Sequence, residues 1–166
     1  HLSMIGNVNE RLLRGSLDLA IVESMAPNPE LQCDVIDTVE HHVYCGPSHP
    51  LLKHDKLRFE DVEGFSFVAP ASLPDGTSPD KWPAHRRRTI GMRVSQMQVA
   101  IDACQEIELL GVFAAPIAEH AGLTRLPLPV CDKTNLYMLR RKGLLVESKA
   151  DLIAAEVAVQ GAKHRR

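Results

Sequence analysis

The sequence lacks a basic surplus: its formal net charge is −2. A chain that grips DNA by itself neutralises phosphates with Lys and Arg, so DNA contact by this chain alone is not expected. C-x-x-C pairs are also absent. Cys33, Cys45, Cys104 and Cys131 each stand alone in an apolar or mixed run. They read as buried, reduced thiols of a cytoplasmic protein, not as a disulfide framework. No stretch approaches the length of a membrane span, and no charged-then-apolar leader opens the chain, so no membrane partner is expected. There is no G-x-S-x-G elbow and no Gly-rich phosphate loop. Nucleophilic catalysis and nucleotide binding therefore have no motif, and no catalytic residue is assigned. Cys45 and His49 are close in sequence, but no second pair completes a tetrahedral metal set. His41 and His42 point to opposite faces of a strand and cannot chelate together. No metal or cofactor is expected.

What is present is a globular composition. The 166 residues are 45% hydrophobic and 24% charged, enough for one good core or two small ones. Asn7 with Glu10 three places on reads as a capped helix start, Leu12 and Leu13 give its apolar side, and Gly15 is a natural stop. Leu17 to Val22 is a nearly continuous apolar run, as in a strand covered on both faces. Two strands are predicted over 31–37 and 39–45. Gly46-Pro47-Ser48-His49-Pro50 ends the second. A helical turn over Leu57–Val62 and a short strand over Phe65–Ala69 follow. The stretch from Pro70 to Arg88, with four prolines and the run Arg86-Arg87-Arg88, reads as the least ordered part, its arginines solvated. Ile90–Val94 is a strand. Ser95 begins a helix with Gln98 at the capping-box position. Leu109–Phe113, Leu123–Leu128 and Asn135–Leu139 read as strands, Pro116–His120 as a short helix, and Ser148–Asp151 as the cap of a last helix. Strands alternating with helices imply an α/β architecture with mainly parallel pairing. Lobe boundaries are expected near 63–64 and 131–132: residues 1–63 form a first lobe, 64–131 a second, and 132–166 return to the first.

Three segments together resemble the LysR-type transcriptional regulators. The first is Leu12-Leu13-Arg14-Gly15-Ser16-Leu17-Asp18-Leu19-Ala20-Ile21. The second is Val43-Tyr44-Cys45-Gly46-Pro47-Ser48-His49-Pro50-Leu51 with Leu57-x-Phe59-Glu60-Asp61-Val62. The third is Val94-Ser95, then Gly111-Val112-Phe113-Ala114-Ala115-Pro116, then Leu123-x-x-Leu126-Pro127. Each is weak alone; their order and spacing are fairly specific. The resemblance implies the effector-binding (regulatory) domain of such a regulator, with a two-lobed, periplasmic-binding-protein-like (type 2) fold and two interlobe crossings. The family's opening strand and helix would precede Leu2, so the first lobe is expected to be incomplete. Leu109 stands where the family has a second Gly, so the turn before Gly111 is expected to differ locally.

In an open α/β sheet, ligands sit outside the carboxyl ends of strands, and helix N-termini hold anions. The candidate ligand-binding residues are accordingly Ser95, Gln96 and Met97. Pro70, Ala71 and Ser72 lie across the same mouth, and Glu23 and Ser24 face them from the first lobe. The competing reading makes Ser95 a helix cap, Pro70–Ser72 a surface turn and Glu23 a solvated acid. The resemblance further implies a small organic, acidic effector. It also implies a homodimer or homotetramer paired through a first-lobe helix (Val8–Arg14) and the Met97–Ile107 helix, and DNA contact only through an N-terminal helix-turn-helix outside this chain. The alternatives are a solute-binding protein of a transport system and a small α/β enzyme.

Overall fold

The computed structural model describes residues 5–24, 27–71 and 79–142. Chain contacts divide it into two units: residues 1–38 with 134–166, and residues 39–133.

Unit 1 is built on helix α1 (Ile5–Leu13), strand β1 (Leu19–Val22), the first part of β2 (Leu31–Cys45) and most of β7 (Asp132–Arg141). Val8 and Leu12 stand four residues apart on one helix face and are buried with Leu31 and Leu139. Asn7 lies inside the helix, so it is not the N-cap expected of it. Gly15 ends the helix at φ +72°, and its N–H donates to the Leu12 carbonyl at 3.0 Å. A left-handed residue there is cheap only for glycine. β1 pairs antiparallel with β7, Leu19 opposite Arg140 and Val22 opposite Tyr137.

Unit 2 holds the rest of β2, a 3-10 turn (Pro50–Lys53), α2 (Phe59–Val62), β3 (Ser66–Pro70), β4 (Thr89–Val94), α3 (Met97–Glu106), β5 (Gly111–Ala114), α4 (Ala115–His120) and β6 (Thr124–Arg125). β3 and β4 run parallel, and Phe67 bridges Leu110 in the parallel sense just before β5. β2 pairs antiparallel with β5 on one side and β6 on the other. The two-stranded sheet β3-β4 thus meets the β5-β2-β6 part of the larger sheet through one isolated bridge, and within unit 2 β2 runs opposite to the strands it pairs with. The β3–β4 ladder and the Phe67–Leu110 bridge are parallel, whereas the β1–β7, β2–β5 and β2–β6 ladders are antiparallel, so the expected predominance of parallel pairing is not found among these ladders. Each face of this sheet is covered. Val43, Cys45, Phe67, Trp82, Leu110 and Val112 pack on one side. Tyr44, Val68, Ile101, Cys104 and Phe113 pack on the other. The side-chain alternation predicted for 41–45 is thus observed.

The structure departs from the local expectations at β2 and at the start of α3. β2 is one fifteen-residue strand where two were predicted, and the division between units falls at 38–39, inside it. Leu51, Leu57, Phe59 and Val62 pack into the core of unit 2. Helix α3 starts at Met97 with Gln96 as N-cap, and no side chain caps it. Ser95 is therefore one place too early to cap, and Gln98 donates along the helix to Asp102 at 2.8 Å. In the turn before β5, Glu108 takes the left-handed conformation at φ +55°.

The arginine run is not a solvated loop. Arg88 forms a two-pronged pair with Asp80, Nη1–Oδ2 2.7 Å and Nη2–Oδ1 2.9 Å. Both side chains are less than a tenth exposed. The guanidinium lies over the Trp82 and Phe67 rings, 5.2 and 5.6 Å from their centroids. Arg86 pairs with Glu60 and covers Phe59. Only Arg87 of the three is exposed. Aromatic side chains brought from α2, β3 and the loop create this shelter, which charge counting along the loop cannot register. The last helix expected from Ser148 lies outside the described residues.

Candidate functional site

The parallel register of β3 and β4 sets Pro70 beside Val94. Both strands therefore finish together at the carboxyl edge of the unit 2 sheet. Ala71 continues from one, and Ser95, Gln96 and α3 from the other; Ala71, Ser95, Gln96 and Met97 are all exposed. Five of the expected site residues, Pro70, Ala71, Ser95, Gln96 and Met97, are thus gathered at one rim. Ser72 lies outside the described residues. Glu23 and Ser24 follow β1 in unit 1, half-buried and exposed respectively.

The rim suits an anion. The first turn of α3 carries no acidic side chain and, among the described residues, no side-chain cap, so the positive end of the helix is not neutralised within that turn. Arg93, next to last in β4, is exposed and donates from Nη1 to the Pro70 carbonyl at 3.1 Å. Sequence reasoning placed Arg93 in a strand and gave it no role. The usable signal was its position two residues before a candidate ligand contact.

Further along the same edge, β2 enters unit 2 with His41 opposite Ala114, the end of β5. Glu40 there accepts from Lys133 Nζ at 2.6 Å and contacts His42 Nε2 at 3.0 Å. Hydrogen bonds from Lys133, then His42, hold the Glu40 carboxyl below its ordinary range.

The Cys45, Cys104 and Cys131 thiols are chemically quiet. Burial pushes the Cys45 thiol up to about 11, and the Cys104 and Cys131 thiols up to about 12. Such thiols stay protonated near neutrality and are poor nucleophiles. Among the described residues, no three His, Cys, Asp or Glu side chains are grouped to hold a metal ion. None of the described helices is long and apolar enough to cross a membrane.

A family model described as the LysR substrate binding domain matches residues 1–158. Among solved structures, the BenM effector binding domain with its effector benzoate superposes with a TM-score of 0.72 at 18% identity, over 98% of this chain and 77% of that one. The effector binding domain of QuiR in complex with shikimate gives 0.67 at 18%, over 98% and 80%. The regulatory domain of CcmR from Synechocystis PCC6803, in complex with 2-PG, gives 0.69 at 12%, over 96% and 80%. These likenesses establish the fold, the type 2 periplasmic-binding-protein fold of such domains. No curated protein sequence matches the chain.

Proposed function

Because this chain belongs to the LysR substrate-binding domain family, a non-enzymatic family of regulatory domains, we propose that it senses a small organic acid for a LysR-type transcriptional regulator. The match of the family model to residues 1–158 carries this reading. The three relatives bind benzoate, shikimate and 2-PG, which supports an acidic effector. The anion-receptive rim formed by Pro70, Ala71, Ser95, Gln96 and Met97 is where it would bind. Ser72 continues that rim in sequence, and Glu23 and Ser24 are the proposed first-lobe contacts.

The mechanism is a population shift. A ligand changes a conformational equilibrium only by its differential affinity for the two states. An acid that spans both lobes favours one interlobe angle, and that angle biases the packing of a homodimer or homotetramer. DNA would be contacted only by a helix-turn-helix outside this chain, in the cytoplasm. The family match favours this reading over a transport solute-binding protein.

A thermal-shift titration with benzoate and shikimate tests it. At a hundredfold excess over Kd, binding stabilises by about 2.7 kcal/mol, or roughly 5–11 °C for a domain of this size. Ser95→Ala should reduce the shift. Flat melting curves with both acids would refute the reading, and a shift untouched by Ser95→Ala would refute the site.

A further inference from the structure

We propose that Arg93 reads the charge of the effector, binding its carboxylate through the guanidinium. The proposal rests on the carboxyl edge of unit 2 being the effector site. Met92 and Val94 pack into the core cluster that includes α3. Strand alternation therefore turns Arg93 to the other face of β4, where it is exposed. Its Nη1 donates to the Pro70 carbonyl at 3.1 Å. That bond ties the guanidinium to the rim at which β3 ends and from which Ser95 and α3 depart.

Arg14, Arg58, Arg86, Arg88 and Arg140 each face a carboxylate; among the described residues, Arg93 forms no such pair. One edge of its guanidinium is positioned by a neutral carbonyl, and among the described residues no carboxylate compensates its charge. The planar fork matches a carboxylate with two parallel N–H donors. Because the carbonyl already orders the side chain, less freedom is lost when the ligand arrives. The ligand class is a small carboxylic acid in its ionised form, read by Arg93 for charge and by the Ser95–Met97 turn for position.

The test is calorimetric titration of this chain with benzoate, shikimate and the neutral isostere benzamide. The wild type should bind at least one acid and prefer benzoate to benzamide. Arg93→Gln should weaken acid binding about tenfold or more, the scale of a lost charged hydrogen bond, and erase the preference over benzamide. Arg93→Lys should recover part of the preference, because it keeps the charge without the fork. Ser95→Ala should weaken benzoate and benzamide alike. If the wild type binds the acids and Arg93→Gln binds them equally well, with the same preference, the role of Arg93 is overturned while the site stands. If the wild type binds neither acid, the effector-site reading falls and this inference falls with it.

Discussion

Replacing Asp80 by Asn should cost this small chain a large part of its stability. Asn keeps the shape of the side chain but removes the charge that Arg88 meets at 2.7 and 2.9 Å. Both side chains are less than a tenth exposed, so water cannot take over the lost partner. Breaking such a buried pair from one side costs about 3–5 kcal/mol, mostly the penalty of a buried, under-compensated charge. For a domain of this size that lowers the melting temperature by roughly 6–20 °C. Arg88→Met should cost a similar amount, since it strands the carboxylate and removes the cation from the Trp82 and Phe67 rings. The double replacement Asp80→Leu with Arg88→Met should lose far less than the two single costs added, because an apolar pair of similar volume suits the Trp82 cluster. Calorimetry and urea unfolding of the variants form a double-mutant cycle. A melting temperature for Asp80→Asn within about 2 °C of wild type would refute the argument. So would coupling below about 0.5 kcal/mol, the range expected of independent sites.

Three further outcomes are expected. Gly46→Ala would set its Cβ 2.6 Å from the Cys104 carbonyl oxygen and 3.1 Å from the Gln105 Cα; the backbone must yield, at a cost of about 1–3 kcal/mol, and an unchanged urea midpoint would contradict this. Glu108→Gly should raise stability by about 1 kcal/mol, because glycine takes the left-handed conformation at φ +55° freely; a lower melting temperature would count against it. His49 is buried, accepts from the Leu51 N–H through Nδ1 at 3.2 Å and hydrogen-bonds the backbone of Glu108. Burial lowers its pKa below the ordinary 6.5, so its stabilisation is complete above pH 6.5 and is lost as pH falls through the lowered value. Melting temperatures between pH 7.5 and 5 should show that loss, and His49→Gln should flatten it.

Much of the fold was legible because its causes are local. The helix ending at Gly15, the apolar strand before Glu23, the two-faced 41–45 segment and the strand leading to Ser95 follow from spacing and backbone preference within a few residues. The rim residues Ser95–Met97 and Pro70–Ala71 were legible through a resemblance in motif order. Their meeting depends on the Pro70–Val94 register, which no single segment contains.

The sequence by itself determined the element types, the turn glycine and the sides of the strands, since period and dihedral preference are properties of short stretches. Tertiary structure decided the rest. β2 runs unbroken through residue 38 because it finds ladder partners along its length. Arg88 is buried because two aromatic side chains from separate elements, Phe67 and Trp82, reach the same place. α3 starts at Met97, which leaves Ser95 outside the helix at the rim. Arg93 reaches Pro70 only across a paired strand. Each of these outcomes is set by contacts between residues far apart in the chain, and their energies exceed the local preferences that a sequence reading can weigh.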